Sequence, residues 1–159
     1  MSESHSRPHP QSFRPHANQW AARAAAILIV LAGSAAYHNS LRGEFIFDDY
    51  GSIEDNPTIR SLWPIWKVLS PPIGWEAIQN RPVVNVSLAI NYAIGELDVL
   101  GYHVFNLIVH ILAALTLFGI IRRTLRLPVM PGHISGAATP LALAAALIWT
   151  VHPLATEAV

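Results

Sequence analysis

The 159-residue chain is 52% hydrophobic and only 13% charged, with a mean hydropathy of +0.37 and a formal net charge of +0. Soluble domains carry about 25% charged residues, so this composition points to a membrane protein. The balanced charge predicts no nucleic-acid partner, and the lack of cysteine excludes disulfides and thiolate metal sites.

Residues 1–19 are rich in Ser, His and Pro, carry Arg7 and Arg14, and have no apolar period. They read as a disordered cytoplasmic tail. Residues 20–37 form the first predicted span. Eighteen helical residues reach roughly 27 Å, close to a hydrocarbon core of about 30 Å. Arg23 can snorkel toward the tail, and Trp20 and Tyr37 suit the two interfaces. The basic lead, the apolar run and Gly33-Ser34-Ala35-Ala36 also fit a cleavable signal. The spans that follow favour a retained helix.

Residues 38–101 read as an external loop holding Trp63, Trp66 and Trp75. Leu62, Ile65, Trp66 and Leu69 are spaced for a short helix over 59–69, with Pro64 in its first turn or breaking it. Its aromatic residues suit the membrane interface. Pro71-Pro72-Ile73-Gly74 breaks the chain. Val84, Leu88 and Tyr92 predict a second amphipathic helix over 83–94, ended by Gly95. Asn85-Val86-Ser87 matches the N-glycosylation pattern but lies inside that helix and reads as a chance match.

Residues 102–121 form the second span, uncharged from Val104 to Ile121 apart from any charge on His110. Arg122, Arg123 and Arg126 follow with no acid nearby and place residues 122–136 in the cytoplasm. Residues 137–151 make a third, slightly short span, which lengthens if 134–136 join it. Residues 152–159 begin a second external loop. In this topology Asp48, Asp49, Arg81, His152 and Glu157 reach one membrane face. The ending at Thr156-Glu157-Ala158-Val159, with no polar tail, reads as that of a leading piece of something longer.

Acidic groups are costly near lipid, so Asp48-Asp49, placed after the first span by a short run ending in Gly43-Glu44-Phe45-Ile46-Phe47, invites a functional explanation. One carboxylate could act as general base toward a hydroxyl, or the pair could hold a divalent cation. Equally, the pair could form a turn that caps the following helix. Asp55-Asn56-Pro57 reads as a turn. Arg81, before Pro82 at a helix head, has the planar fork that suits phosphate, and is also an ordinary solvated position. His103, Asn106 and His110 share one helical stripe. They could line a polar headgroup pocket or bond between helices. His152 and Glu157 sit where the third span leaves the membrane. No compact metal motif is present.

Taken together, Phe45-Ile46-Phe47-Asp48-Asp49 with Asn56, Arg81-Pro82, Asn91-Tyr92, Gly101-Tyr102-His103 with Asn106 and His110, and His152-Pro153 with Thr156-Glu157-Ala158-Val159 form an ordered set. From Tyr37 to Val159 it resembles the N-terminal part of the transmembrane and tetratricopeptide-repeat-containing O-mannosyltransferases and their bacterial relatives. The resemblance implies an all-α, multispanning GT-C fold in the bacterial inner membrane, or the endoplasmic reticulum membrane in a eukaryote. It implies transfer of a sugar, possibly mannose, from a polyprenyl-phosphate donor to a hydroxyl such as that of protein Ser or Thr. By the same resemblance, Asp48 or Asp49 corresponds to the catalytic carboxylate, and Arg81 and His103 to donor-phosphate contacts. His110, His152 and Glu157 join the candidate headgroup set. The further spans and the helical repeats of that family are not in this chain, so it is expected to be inactive by itself. A non-enzymatic membrane scaffold is the alternative reading.

Overall fold

A computed structural model of the chain describes residues 15–46, 48–71 and 78–153. Among them all regular structure is helical. The long helices are α1 (Pro15–Ala36), α3 (Pro82–Gly95), α4 (Val99–Thr124) and α6 (Ala138–Thr150). Two short helices, α2 (Ile65–Val68) and α5 (Gly132–Gly136), lie between them. Two segments, Gln19–Arg42 and Val99–Thr124, are long and apolar enough to cross a membrane. At 13 residues α6 is about 20 Å long, too short alone for a core of about 30 Å. The helical turn of α5 precedes it after a break at Ala137.

α1, α4 and α6 pack as a bundle through stripes spaced four residues apart. These are Ala25, Ile29, Gly33 and Tyr37 from α1 and its exit, His110, Ala114 and Phe118 from α4, and Ala138, Ala142, Ala146 and Thr150 from α6, all buried. Small residues at this spacing let helix backbones approach closely, the usual solution where lipid is as apolar as the core. Gly33 marks the tightest approach. A Cβ there would stand 3.1 Å from Ile111 Cγ1 and 3.2 Å from Thr150 Cγ2. The α1 face is thus an integral wall of the bundle. Trp20 is exposed beneath the Arg23 guanidinium, 5.2 Å from its ring centre, as an interfacial residue would be. Tyr37, expected at the other interface, is instead buried among the helices, because its hydroxyl has a carbonyl to reach there.

The 38–98 segment builds its own core from Phe45, Ile53, Ile59, Val68 and Ala89, closed by Tyr102 at the start of α4. The expected helix over 59–69 shrinks to α2, preceded by a 3-10 turn at Pro57–Ile59. Pro64 stands at the N-cap of α2, after a cis Trp63–Pro64 bond. Phe45, in the apolar run that leads to the aspartates, is buried with its ring edge-on to Tyr102 at 5.5 Å. Phe47 lies outside the described residues.

Two side-chain amides hold this segment together. Asn56 Nδ2 donates to Ser52 O and to Asn85 Oδ1, both at 2.9 Å. Asn56 Oδ1 accepts from Thr58 N at 2.9 Å and Thr58 Oγ1 at 2.7 Å. Asn85 Nδ2 donates to Thr58 Oγ1 at 2.8 Å and Val68 O at 2.6 Å. Both asparagines are fully buried with every amide hydrogen used. Asn85 therefore presents no amide to a glycosylating enzyme in the folded chain, in line with the chance-match reading. α3 ends where Glu96 takes a left-handed conformation (φ 52°), and Tyr102 Oη donates to its carbonyl at 2.8 Å. Asp98 then caps α4 by accepting from Leu100 N at 3.1 Å.

Candidate functional site

The acidic doublet sits on a tight turn. Asp49 N donates to Ile46 O at 3.0 Å, while Asp49 Oδ2 accepts from Ile46 N at 3.1 Å. This reciprocal pair closes the turn and fixes the Asp49 side chain. It leads directly into one π-helical turn, Tyr50–Glu54, whose Tyr50 carbonyl accepts from Asp55 N at 2.8 Å. Single π-turns frequently occur at functional positions. Arg60 holds the far end of this turn, donating through Nη2 to Ile53 O at 3.1 Å and to Glu54 O. Its guanidinium also lies over the Tyr92 ring at 4.5 Å. Asp48 is exposed and Asp49 half-buried. Upstream, a Cβ on Gly43 would meet His103 Nε2 at 3.3 Å, so the strand of chain entering the turn runs close over His103.

A groove of about 670 Å³ opens between α3, α4 and the end of α6. Its apolar wall includes Val83, Val84, Phe105 and Val109. Its polar groups come from Ser87, Asn106, His110 and His152. A largely apolar cleft with a few converging polar groups is the usual form of a small-molecule or lipid site.

One end of this groove is held rigidly. The last carbonyls of a helix have no partner within it. For α6, Thr150 O accepts from Tyr37 Oη at 3.0 Å and faces His110 Nε2 at 2.9 Å. Facing a carbonyl, Nε2 must carry the proton, which fixes the His110 tautomer when neutral. The His110 ring stacks on Trp149 (4.8 Å, 18°) and meets the edge of Tyr37 (5.2 Å, 79°). Tyr37 Oη also approaches His152 O at 3.4 Å. The C-terminal ends of α1 and α6 therefore meet beside His110. At the opposite end of the bundle, Arg122 and Arg126 contact Thr139 near the start of α6. The loop carrying the aspartates and the arginine cluster thus belong to opposite ends.

Of the residues proposed from sequence, the structure gathers His110 and His152 on the groove, together with Asn106. Arg81 is the exposed N-cap of α3, immediately before the groove residues Val83 and Val84. His103, near the start of α4, lies beneath the chain at Gly43 that leads to Asp48 and Asp49, and none of these three residues is among those lining the groove. Glu157 lies outside the described residues. Among the described residues no group of three or more His, Asp or Glu side chains comes together to hold a metal ion. Sequence reading missed Tyr37, Thr150, Asn56 and Asn85 as organisers. The available signal was polarity inside an apolar helix, present at Asn85 and Thr150.

No protein-family model matches the chain, and no solved structure matches it. Curated proteins do. A protein O-mannosyl-transferase of Caenorhabditis elegans is 31% identical over 140 residues, covering 84% of this chain and 19% of the relative. The chain is similar to protein O-mannosyl-transferases. Protein O-mannosyl-transferase TMTC1 of Mus musculus is 30% identical across 85% of this chain and 14% of its own length. Protein O-mannosyl-transferase Tmtc3 of Drosophila melanogaster is 29% identical across 84% of this chain and 16% of its own. The chain thus spans about a fifth or less of the length of these relatives.

Proposed function

We propose that this chain is the N-terminal membrane portion of a GT-C-type protein O-mannosyltransferase. The enzyme transfers mannose from a polyprenyl-phosphate donor to a hydroxyl, such as that of a protein Ser or Thr, on the non-cytoplasmic face. The observation that carries this reading is the similarity to protein O-mannosyl-transferases along 84% of the chain. The groove fits the donor's chemistry: an apolar wall for an isoprenoid tail, with Asn106 and His152 among its polar lining. In this reading an Asp48 or Asp49 carboxylate takes the acceptor hydroxyl proton as its oxygen attacks the anomeric carbon. The bond from that carbon to the donor phosphate breaks, and polyprenyl phosphate departs with its negative charge met by Arg81 and His103. Glu157 completes the headgroup set. The fixed orientation of Asp49 suits a general base and favours it over Asp48 for that role.

The test is mannosyl transfer by the full-length enzyme carrying Asp49→Asn or Asp48→Asn. One of them should lower the rate by about 10²–10⁴-fold with expression intact. Normal transfer by both single variants ends the catalytic assignment. That result would favour a membrane scaffold, a second reading supported by His110, whose Nε2 is engaged in joining helices.

A further inference from the structure

A single helical turn fixes the dihedrals of several residues for very few hydrogen bonds, so it does not hold its shape unaided. The π-turn Tyr50–Glu54 is such a turn, and Asp49 is its N-cap. It must be held from outside, and two tethers run from it to α3. In the first, Asn56 Nδ2 donates to Ser52 O within the turn and to Asn85 Oδ1 on α3, both at 2.9 Å. In the second, Arg60 takes the C-terminal end. The last carbonyls of a helix have no partner within it and attract a cation. Arg60 Nη2 donates to Ile53 O at 3.1 Å and to Glu54 O, and the same guanidinium lies over the Tyr92 ring of α3 at 4.5 Å. The backbone of Arg60 is itself fixed. It closes the 3-10 turn Pro57–Ile59, in which Ile59 is fully buried and Thr58 N donates to Asn56 Oδ1.

Two tethers prevent a motion that one permits. Asn85 and Tyr92 are seven residues apart on α3, which places them on one face of that helix and about 10 Å along it. A turn held at Asn85 alone can pivot there; a second anchor two helical turns away removes the pivot. The groove residues Val83, Val84 and Ser87 belong to the same helix. The orientation of the Asp49 turn is thereby referred to the helix that walls the groove. Lysine is not equivalent to arginine in this place. An ammonium is a compact point charge, whereas a planar guanidinium meets carbonyls with its edge while its face covers an aromatic ring.

We propose that Arg60 is a positioning residue for mannosyl transfer, fixing the turn that bears Asp49 relative to α3 and the donor groove. Its chemistry rests on the transferase reading, while the clamp is measurable without activity. The kinetic test uses the full-length enzyme with polyprenyl-phosphate mannose as donor and a Ser- and Thr-containing peptide as acceptor. R60Q should lower kcat per folded enzyme about 10²-fold, the loss that a misplacement of about 1 Å can cause. The KM for the donor should stay at the wild-type value, because Arg60 is not among the residues lining the groove. R60K should recover only part of the rate. Unchanged kcat in R60Q, a loss confined to KM, or a wild-type rate in R60K would overturn the proposal. Spin labels on Gly51→Cys, where an added Cβ meets nothing within 4 Å, and on Ile94→Cys, at an exposed position of α3, report the clamp directly. With Arg60 present they should give one narrow distance, and with R60Q a broad distribution; a narrow distance kept in R60Q would refute the clamp. Should R60Q fail to fold, Tyr92→Leu removes only the ring beneath the guanidinium. It should show both effects in weaker form, and wild-type kcat and distances there would refute the proposal. Normal transfer by both Asp48→Asn and Asp49→Asn would end the transferase reading of the turn, and with it the kinetic half of this proposal; the distance measurement decides the clamp separately.

Discussion

Replacing Asn85 with alanine should loosen the external segment while sparing the bundle. The wild-type amide makes three buried or part-buried bonds, to Asn56 Nδ2, Thr58 Oγ1 and Val68 O. After truncation Val68 O loses the partner that Asn85 supplied, and Asn56 Nδ2 keeps only Ser52 O. Thr58 Oγ1 still donates to Asn56, so its loss is smaller. A buried polar group left unmet costs about 1–3 kcal/mol. Two such groups, with a small cavity added, come to roughly 3–5 kcal/mol. That is a large fraction of the 5–15 kcal/mol typical of a whole domain. Because the segment has a core of its own, the cost should appear as local opening. Hydrogen exchange on the full-length protein in detergent should show amides in 51–60 and 65–69 exchanging at least about 100-fold faster, the factor that 2.7 kcal/mol produces. Amides of α4 beyond His110 should keep their protection. Val83→Ala, at an exposed position of the same helix, should change neither region. Protection of 51–60 within threefold of wild type in Asn85→Ala would refute the reasoning.

Other outcomes follow from the bundle and its surface. Tyr37→Phe and His110→Phe each leave Thr150 O with one partner and should each cost about 1–2 kcal/mol in detergent unfolding. The double variant orphans that carbonyl, so its cost should exceed the sum of the singles; simple additivity would contradict the shared-acceptor picture. Gly33→Ala demands shifts of a few tenths of an ångström from Ile111 and Thr150, whereas Gly33→Leu cannot be accommodated between them. Unfolding midpoints should fall mildly for the first and by many degrees for the second, and equal midpoints would deny the close approach. Trp63 and Trp66 are exposed and packed edge to face at 5.8 Å, beside exposed Leu62 and Leu69. They should dip into the bilayer interface. Brominated lipids should then quench wild-type fluorescence more than that of W63A/W66A, and indistinguishable fractional quenching would place this face in water.

Sequence alone located the long helices. Runs of uncharged residues and their 3.6-residue period are local properties, so α1, α3 and α4 emerged close to their observed bounds. The same reading put Asn106 and His110 on one stripe, and both line the groove. It misjudged Tyr37, because hydrophobicity cannot separate a side chain facing the membrane surface from one facing another helix when both surroundings are largely apolar. Nor did it find the Asn56–Asn85 clasp, whose partners are 29 positions apart, or the bond from Tyr37 to Thr150 across 113.

The chain's own order of residues determined that it is helical, apolar enough for a bilayer, and basic at one end of α4. Which polar groups meet was decided only by tertiary packing. A buried amide or carbonyl takes whichever partner the fold delivers within 3 Å, and that distance is set by how helices far apart in sequence come to rest against each other.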